Sequence, residues 1–377
     1  MKPTLIPWLA ALLLLLAAPS LSRPLDDAAD TLPVRAPSIS LPRLAIYYQT
    51  THDATTGRPI SMLPLVTEQH IALTHLIVCT LHVRADRELY LNDFPPSHPR
   101  FATVWAEAAV LRDSGVRVVA MVGGAAEGSF AADTLDAPEG SPLFERAYGQ
   151  LRDALRRFGL QGLDVDVEQP MSQRGAARLV GRLRADFGPE FTITMAPVAS
   201  ALTTREWPNL SGFSYRELEA TSGRDVEFYN AQFYNGFGDM IDTGAFDSVV
   251  AAGYDPRRIV AGQVTTPDNG AQWTPFDQLA RTMGELRRKY GEVGGIMGWE
   301  YFNGKPGGQA KPWEWAQQIT AILRPGKQVQ LRVTRDDAAR LEAAWATSVA
   351  GKVSGNASLA GGDDVKPDVD YWAMVSE

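Results

Sequence analysis

Short apolar runs recur along the chain, separated by longer stretches with apolar residues at helical spacing. Residues 44–49 (LAIYYQ) carry two tyrosines, residues 75–83 (HLIVCTLHV) are rich in β-branched side chains, and residues 117–122 (RVVAMV) end on Gly123-Gly124. Residues 162–168 (GLDVDVE) alternate with a period of two, and residues 191–196, 228–235, 258–264 and 295–302 continue the series, so eight strands are predicted. Between them, residues 101–113, 144–158, 176–187, 276–290 and 313–323 read as helices, most of them stopped by a glycine: Gly115, Gly159, Gly188 and Gly291. Strands alternating with helices over residues 43–325 predict an α/β fold, a single closed (β/α)8 TIM barrel, for which about 250 residues is typical. The rival is an open doubly wound sheet, but no Gly-x-Gly-x-x-Gly follows the first strand, which removes support for its dinucleotide-binding form. Residues 326–377 form a C-terminal extension too short for a second sizeable core; 336–348 read as a helix and 351–364 as loop.

The first 22 residues have another pattern. Lys2 precedes an apolar run over 9–18, and Ser20-Leu21-Ser22 follows as a cleavage site, the layout of a secretory signal peptide. The run is shorter than the ~20 residues a membrane span needs, so no membrane association is expected after cleavage, and the protein is expected to be secreted and extracellular. Residues 23–42, with Pro24, Pro33, Pro37 and Pro42, read as an extended leader. Two sequons, at Asn209 and Asn356, are candidate glycosylation sites.

Composition narrows the chemistry. Of 377 residues, 45% are hydrophobic and 21% charged, which is ordinary for a globular protein. The formal charge is −8, so there is no global basic field for nucleic acid or anionic lipid. Cys79 stands alone and closes no intramolecular disulfide. All five histidines lie between His52 and His98 without His-Glu-x-x-His spacing, and neither a Gly-x-Ser-x-Gly elbow nor a phosphate-cradling loop occurs. No metal or cofactor is expected, and a monomer is.

What chemistry there is gathers on the fourth predicted strand. Asp164, Asp166 and Glu168 sit at i, i+2 and i+4, so they share one face while Val165 and Val167 share the other. With the valines against the helices, the carboxylates face the barrel interior, successive ones about 6.6 Å apart along the strand. Desolvation and like-charge coupling should raise at least one pKa, as a general acid at neutral pH requires. Glu168 comes last and lies nearest the C-terminal mouth, where barrel enzymes keep their catalytic groups. A calcium site and a purely structural acidic face remain as alternatives, although the segment is strand-like and its glycine precedes the acids.

The run Leu160-Gln-Gly-Leu-Asp-Val-Asp-Val-Glu168 resembles the fourth-strand signature of glycoside hydrolase family 18, Asp-x-x-Asp-x-Asp-x-Glu. Gly123-Gly124 resembles the end of the family's Ser-x-Gly-Gly, Met195-Ala196-Pro197 its fifth-strand motif, Gln232-Phe233-Tyr234-Asn235 its sixth strand, and Gly298-Trp299 its eighth. The resemblance covers about residues 43–325 and implies the same barrel. It implies hydrolysis of a β-1,4 bond next to an N-acetylglucosamine, with the substrate's acetamido oxygen as nucleophile. Glu168 would protonate the leaving oxygen, Asp166 would orient the acetamido N–H, Asp164 would share a proton with Asp166, and Tyr234 would bond the acetamido carbonyl. Trp299 would floor the sugar pocket, with Gln232, Met195, Tyr48, Gly124 and Asn235 as further substrate-binding positions; for Trp299 and Tyr234 plain core packing is the alternative. Two positions depart from the pattern: Gln161 replaces the first acid and Met121 the serine, a loss of polar support for the inner aspartate. The implied partner is chitin or another GlcNAc-containing oligosaccharide. Chitin is the first expectation, the GlcNAc–GlcNAc core of N-glycans the second, and a non-catalytic chitin-binding protein the third. Only 35 residues separate Gln263 from Trp299, room for a loop and one helix but not for an α+β insertion domain, which suggests an open groove and endo cleavage.

Overall fold

The computed structural model describes residues 41–353, with side chains through 345. The expectations for the signal peptide, for nearly all of the leader, and for the tail after residue 353, with Asn356, lie outside the described residues; the expected helix 336–348 falls within helix Arg335–Val353. Among the described residues nine strands form: β1 (Arg43–Tyr48), β2 (His75–Val83), β3 (Leu89–Leu91), β4 (Arg117–Gly124), β5 (Gly162–Val167), β6 (Thr192–Met195), β7 (Phe228–Gln232), β8 (Ile259–Val264) and β9 (Gly295–Trp299). All but β3 are parallel, and β9 returns to β1 while β1 also pairs β2, so eight strands close into a barrel. β3 pairs antiparallel with the end of β2. The fourth predicted strand is therefore β5. Three residues are too few to show a period, which is why β3 was not legible as a strand.

Burial on both faces explains why these runs are so continuously apolar. One set of side chains fills the barrel: Ala45, Tyr47, Ile77, Cys79, Val119, Met121, Phe228, Val260, Val264 and Met297. The alternate set, including Leu44, Ile46, Tyr48, Val165 and Val167, packs outward against the helices. Helix Pro142–Arg157 shows why the helices start and stop where they do. The Ser141 hydroxyl accepts the Phe144 N–H at 3.2 Å, a proline opens the first turn, and arginines occupy the last. Its buried stripe is Phe144, Ala147, Tyr148, Leu151 and Leu155. Helices Gln173–Phe187, Phe276–Tyr290 and Glu314–Leu323 match the expected segments closely. Tyr215–Ser222 and Gly244–Ala251 were not expected; each is one short helix burying only two apolar side chains. Between β8 and β9 lie one 3-10 turn and helix Phe276–Tyr290, with no inserted domain. Helix Arg335–Val353 packs on helix Ala102–Asp113. Among the described residues, no helix is long and apolar enough to cross a membrane.

Candidate active site

β5 delivers its three carboxylates into the interior as its alternation requires, with Val165 and Val167 behind them. Asp164 is deepest and fully buried. It accepts the Tyr47 hydroxyl from β1 at 2.6 Å, the Thr194 hydroxyl from β6, and the Asn230 amide from β7 at 3.1 Å. Burial raises its pKa, and these three donors pull against that rise.

Asp166 and Glu168 share a poorer supply of donors. The Gln232 amide nitrogen lies 3.2 Å from Asp166 Oδ1, 3.0 Å from Glu168 Oε1 and 3.0 Å from the Ala196 carbonyl. An amide has two hydrogens for these three acceptors. Burial pushes Asp166 well above the usual carboxylate range, and the charges of Glu168 and Asp164 push it further. Burial raises Glu168 as well, opposed by the bonds it accepts from Gln232 and Asp166. Both groups therefore keep their protons to higher pH than they would in water. A carboxyl that stays protonated beside a neighbour able to take the charge is suited to donate a proton to a leaving oxygen and take one back.

Gly123 makes room for the β5 backbone at Asp166 and for the Phe130 ring. Its φ is 108°, and a Cβ there would lie 2.0 Å from the Asp166 carbonyl oxygen and 2.4 Å from the Phe130 ring. Gly124 comes next, with a Cβ position 3.9 Å from Asp166 Oδ2. At the mouth, Tyr234 follows β7 and Trp299 ends β9; their rings stack with centroids 6.5 Å apart and planes 17° apart. The Tyr234 phenol is pushed up by burial and then by the charges of Asp166, Glu168 and Asp164. Trp273 packs against the same interior cluster. Among the described residues no group of three or more His, Cys, Asp or Glu could hold a metal ion.

Solved structures share this barrel. A fungal endo-β-N-acetylglucosaminidase from glycosyl hydrolase family 18 is 58% identical, with a TM-score of 0.74; the match covers 76% of this chain and 100% of that one. The chitinase ChiC of Aspergillus fumigatus is 42% identical, with a TM-score of 0.66 over 74% of this chain and 98% of its own. A family 18 chitinase from Pseudoalteromonas aurantia, 17% identical with a TM-score of 0.59 over 74% and 100%, shares the fold. No protein-family model and no curated protein matches the chain. The chain belongs to glycoside hydrolase family 18.

As a family 18 glycoside hydrolase, the protein brings seven of the ten expected residues together. Asp164, Asp166, Glu168, Gln232, Tyr234, Trp299 and Gly124 converge at the mouth of the barrel. Tyr48 does not: it faces the helices, its hydroxyl donating to the Ile60 carbonyl at 2.6 Å. Strand parity gives the reason, since its neighbour Tyr47 is the tyrosine that points inward to Asp164. Met195 is corrected in the same way. It is buried in the outer layer, while Thr194 before it points inward. Asn235 is exposed at the rim with φ 55°, its side-chain oxygen accepting the Ala271 N–H at 2.8 Å.

The two departures from the family pattern also find their places. Gln161 lies before β5 and accepts the Val118 N–H at 3.0 Å, at the end of the strand away from Glu168. Met121 faces the interior as the register partner of Asp164. Asp164 draws its donors from Tyr47, Thr194 and Asn230, which the sequence reading passed over. Thr194 is the register partner of Asp164 on β6. Knowledge of register, absent from a single sequence, would have found it. The sequon asparagine Asn209 donates to the Phe213 carbonyl at 2.8 Å.

Proposed function

We propose that this glycoside hydrolase is an endo-β-N-acetylglucosaminidase that cleaves the β-1,4 bond between the two N-acetylglucosamines of an N-glycan core. The observation that supports hydrolysis at this site is the Gln232 amide bridging the Asp166 and Glu168 carboxyls below the Tyr234–Trp299 rim. In this reading Glu168 gives its proton to the glycosidic oxygen as the bond to C1 breaks. The substrate's acetamido oxygen closes on C1, and Asp166 holds the acetamido N–H of the resulting oxazolinium. Glu168, now a carboxylate, takes a proton from the water that attacks C1 and reopens the ring, restoring the starting state. Asp164, fixed by its three donors, buffers the charge of Asp166 from below. Trp299 offers an apolar floor to the sugar and Tyr234 a hydroxyl to its acetamido carbonyl.

What favours the N-glycan core over chitin is the 58% identity to an endo-β-N-acetylglucosaminidase along that protein's whole length. Chitin is the second reading, favoured by the 42% identity to a chitinase. Both substrates present the same acetamido group at the cleaved bond, so the site chemistry serves either. A high-mannose glycoprotein and a chitin tetramer offered side by side separate them, with Glu168→Gln in parallel. Release of the glycan with one GlcNAc left on the protein is expected, falling about 10²–10⁴-fold in the variant. Cleavage of the tetramer alone sinks the N-glycan assignment, and undiminished activity in Glu168→Gln sinks the acid. Export through residues 1–22 belongs to the same proposal; a secreted protein that begins near residue 23 on N-terminal sequencing is the expected result, and an intact Met1 would contradict it.

A further inference from the structure

One buried carboxyl near the mouth takes no part in the acid ladder. Glu300 follows Trp299 in the chain and is 6% exposed. Its Oε2 accepts the Thr50 N–H at 2.7 Å, its Oε1 accepts the Thr50 hydroxyl at 2.8 Å, and the Gln49 N–H also bonds to it. The carboxylate thus grips the two residues that follow β1. Gln49 returns the contact, since its side-chain oxygen accepts the Trp299 indole N–H at 3.1 Å. The Gln49 carbonyl is itself held by the Asn92 amide at 2.9 Å. On the other flank, Thr265 donates its N–H to the Trp299 carbonyl at 2.9 Å and its hydroxyl to the Glu300 carbonyl.

This circuit sits where backbone pairing gives out. The register between β1 and β9 ends at Ile46 and Gly298. Beyond that pair no ladder fixes Trp299 on the β1 side, and side chains take over. Burying a carboxyl there is costly, and burial pushes the Glu300 pKa up to about 7. An apolar residue would fill the space without that cost, but it could not order Gln49.

We propose that Glu300 is a positioning residue for the sugar-binding tryptophan: by holding Thr50 and Gln49 it lets Gln49 fix the plane of the Trp299 indole beside Tyr234. The inference rests on the reading of Trp299 as the floor of the sugar pocket. Its consequence is for binding, shared by ground state and transition state, so KM should carry the effect and kcat should not.

The test compares Glu300→Gln, Gln49→Ala and the double variant with the wild type, on the high-mannose glycoprotein and the chitin tetramer, with Glu168→Gln as control. Glu300→Gln is expected to raise KM about 5–20-fold with kcat within about twofold, a loss of uniform binding. Gln49→Ala should do the same, and the double variant should be no worse than the more affected single one, because both break one chain of contacts. A folded Glu300→Gln protein with an unchanged KM overturns the proposal, as do fully additive effects. If Glu300→Gln fails to fold, Gln49→Ala decides alone, since it leaves the buried carboxyl in place; an unchanged KM there overturns the clamp. Hydrolysis of neither glycan by the wild type, or full activity of Glu168→Gln, overturns the reading of the site beneath it and is recognisable as that different failure.

Discussion

Near the N-terminal ends of the strands the barrel interior is filled by Ala45, Ile77, Val119, Phe228 and Val260. The imidazole of His75 packs edge-on against Phe228 with centroids 5.0 Å apart, and the Arg43 guanidinium lies 4.4 Å from the centre of the same ring. At the C-terminal ends, the same inward positions carry Tyr47, Asp164, Asp166 and Gln232, with Glu168, Tyr234 and Trp299 just beyond. Both regions hold desolvated titratable groups, and burial drives both toward neutrality. His75 is pushed well below the usual imidazole value by burial, then by the charges of Arg43 and Arg117. Asp166 and Glu168 are pushed up. The regions differ in connection. At the floor His75 bonds the hydroxyl of adjacent Thr74, 2.9 Å away, and its other nitrogen has no partner. At the mouth one amide ties two acids together, so a proton has somewhere to go. Burial alone makes a group neutral; a site needs a second group to receive the charge.

The largest expected effect comes from emptying the floor. Phe228→Ala removes a fully buried ring and should cost about 3–5 kcal/mol in a urea melt. The shape of the pH–rate profile should not change, because the ring neither donates to nor accepts from the acids. A cost below about 1 kcal/mol, or a displaced acid limb, would mean that floor and mouth are not separable.

The barrel was legible because its parallel strands, buried on both faces, announce themselves as apolar runs, and because β5 writes its two faces as alternating Asp and Val. What escaped needed register. Tyr47 and Tyr48 are adjacent and chemically identical, and only the phase of β1 relative to β5 decides which one meets Asp164. Thr194 and Met195 pose the same problem on β6. The Glu300–Thr50–Gln49 circuit joins two strand ends about 250 residues apart, which no local pattern can reveal. The short helices were missed for a different reason: about two turns with two buried side chains leave too little period to read.

Tyr47→Phe sharpens the mouth half of the comparison. It keeps the ring and deletes one of three donors to Asp164, leaving a buried carboxyl less well satisfied. A loss of about 1–3 kcal/mol is expected in a urea melt. Asp164 should then hold its proton to higher pH, so the acid limb of hydrolysis moves up. Unchanged stability would show that Thr194 and Asn230 suffice.

Asp166→Asn gives the smallest stability effect and the sharpest sign. The folded-state pKa of Asp166 is raised, so the unfolded chain releases this proton at a lower pH than the folded one does. Stability tied to the group is full below the unfolded value, about 3.9, and drains away as pH rises through the folded value. Asparagine has no proton to release. The variant should therefore match the wild type near pH 4 and exceed it near pH 8, seen as a higher melting temperature at pH 8 only, while hydrolysis falls. At the floor the sign is reversed. The lowered pKa of His75 makes the unfolded chain bind the extra proton, so that group weakens the fold as pH drops below about 6.5 and is silent at pH 8. Melting curves of the two proteins should converge on the acid side, where the His75 penalty is common to both, and part on the alkaline side, where Asp166 acts alone. A gain of equal size at pH 4 and pH 8 would mean the asparagine merely packs better, and the proton-holding pair at the mouth would lose its support.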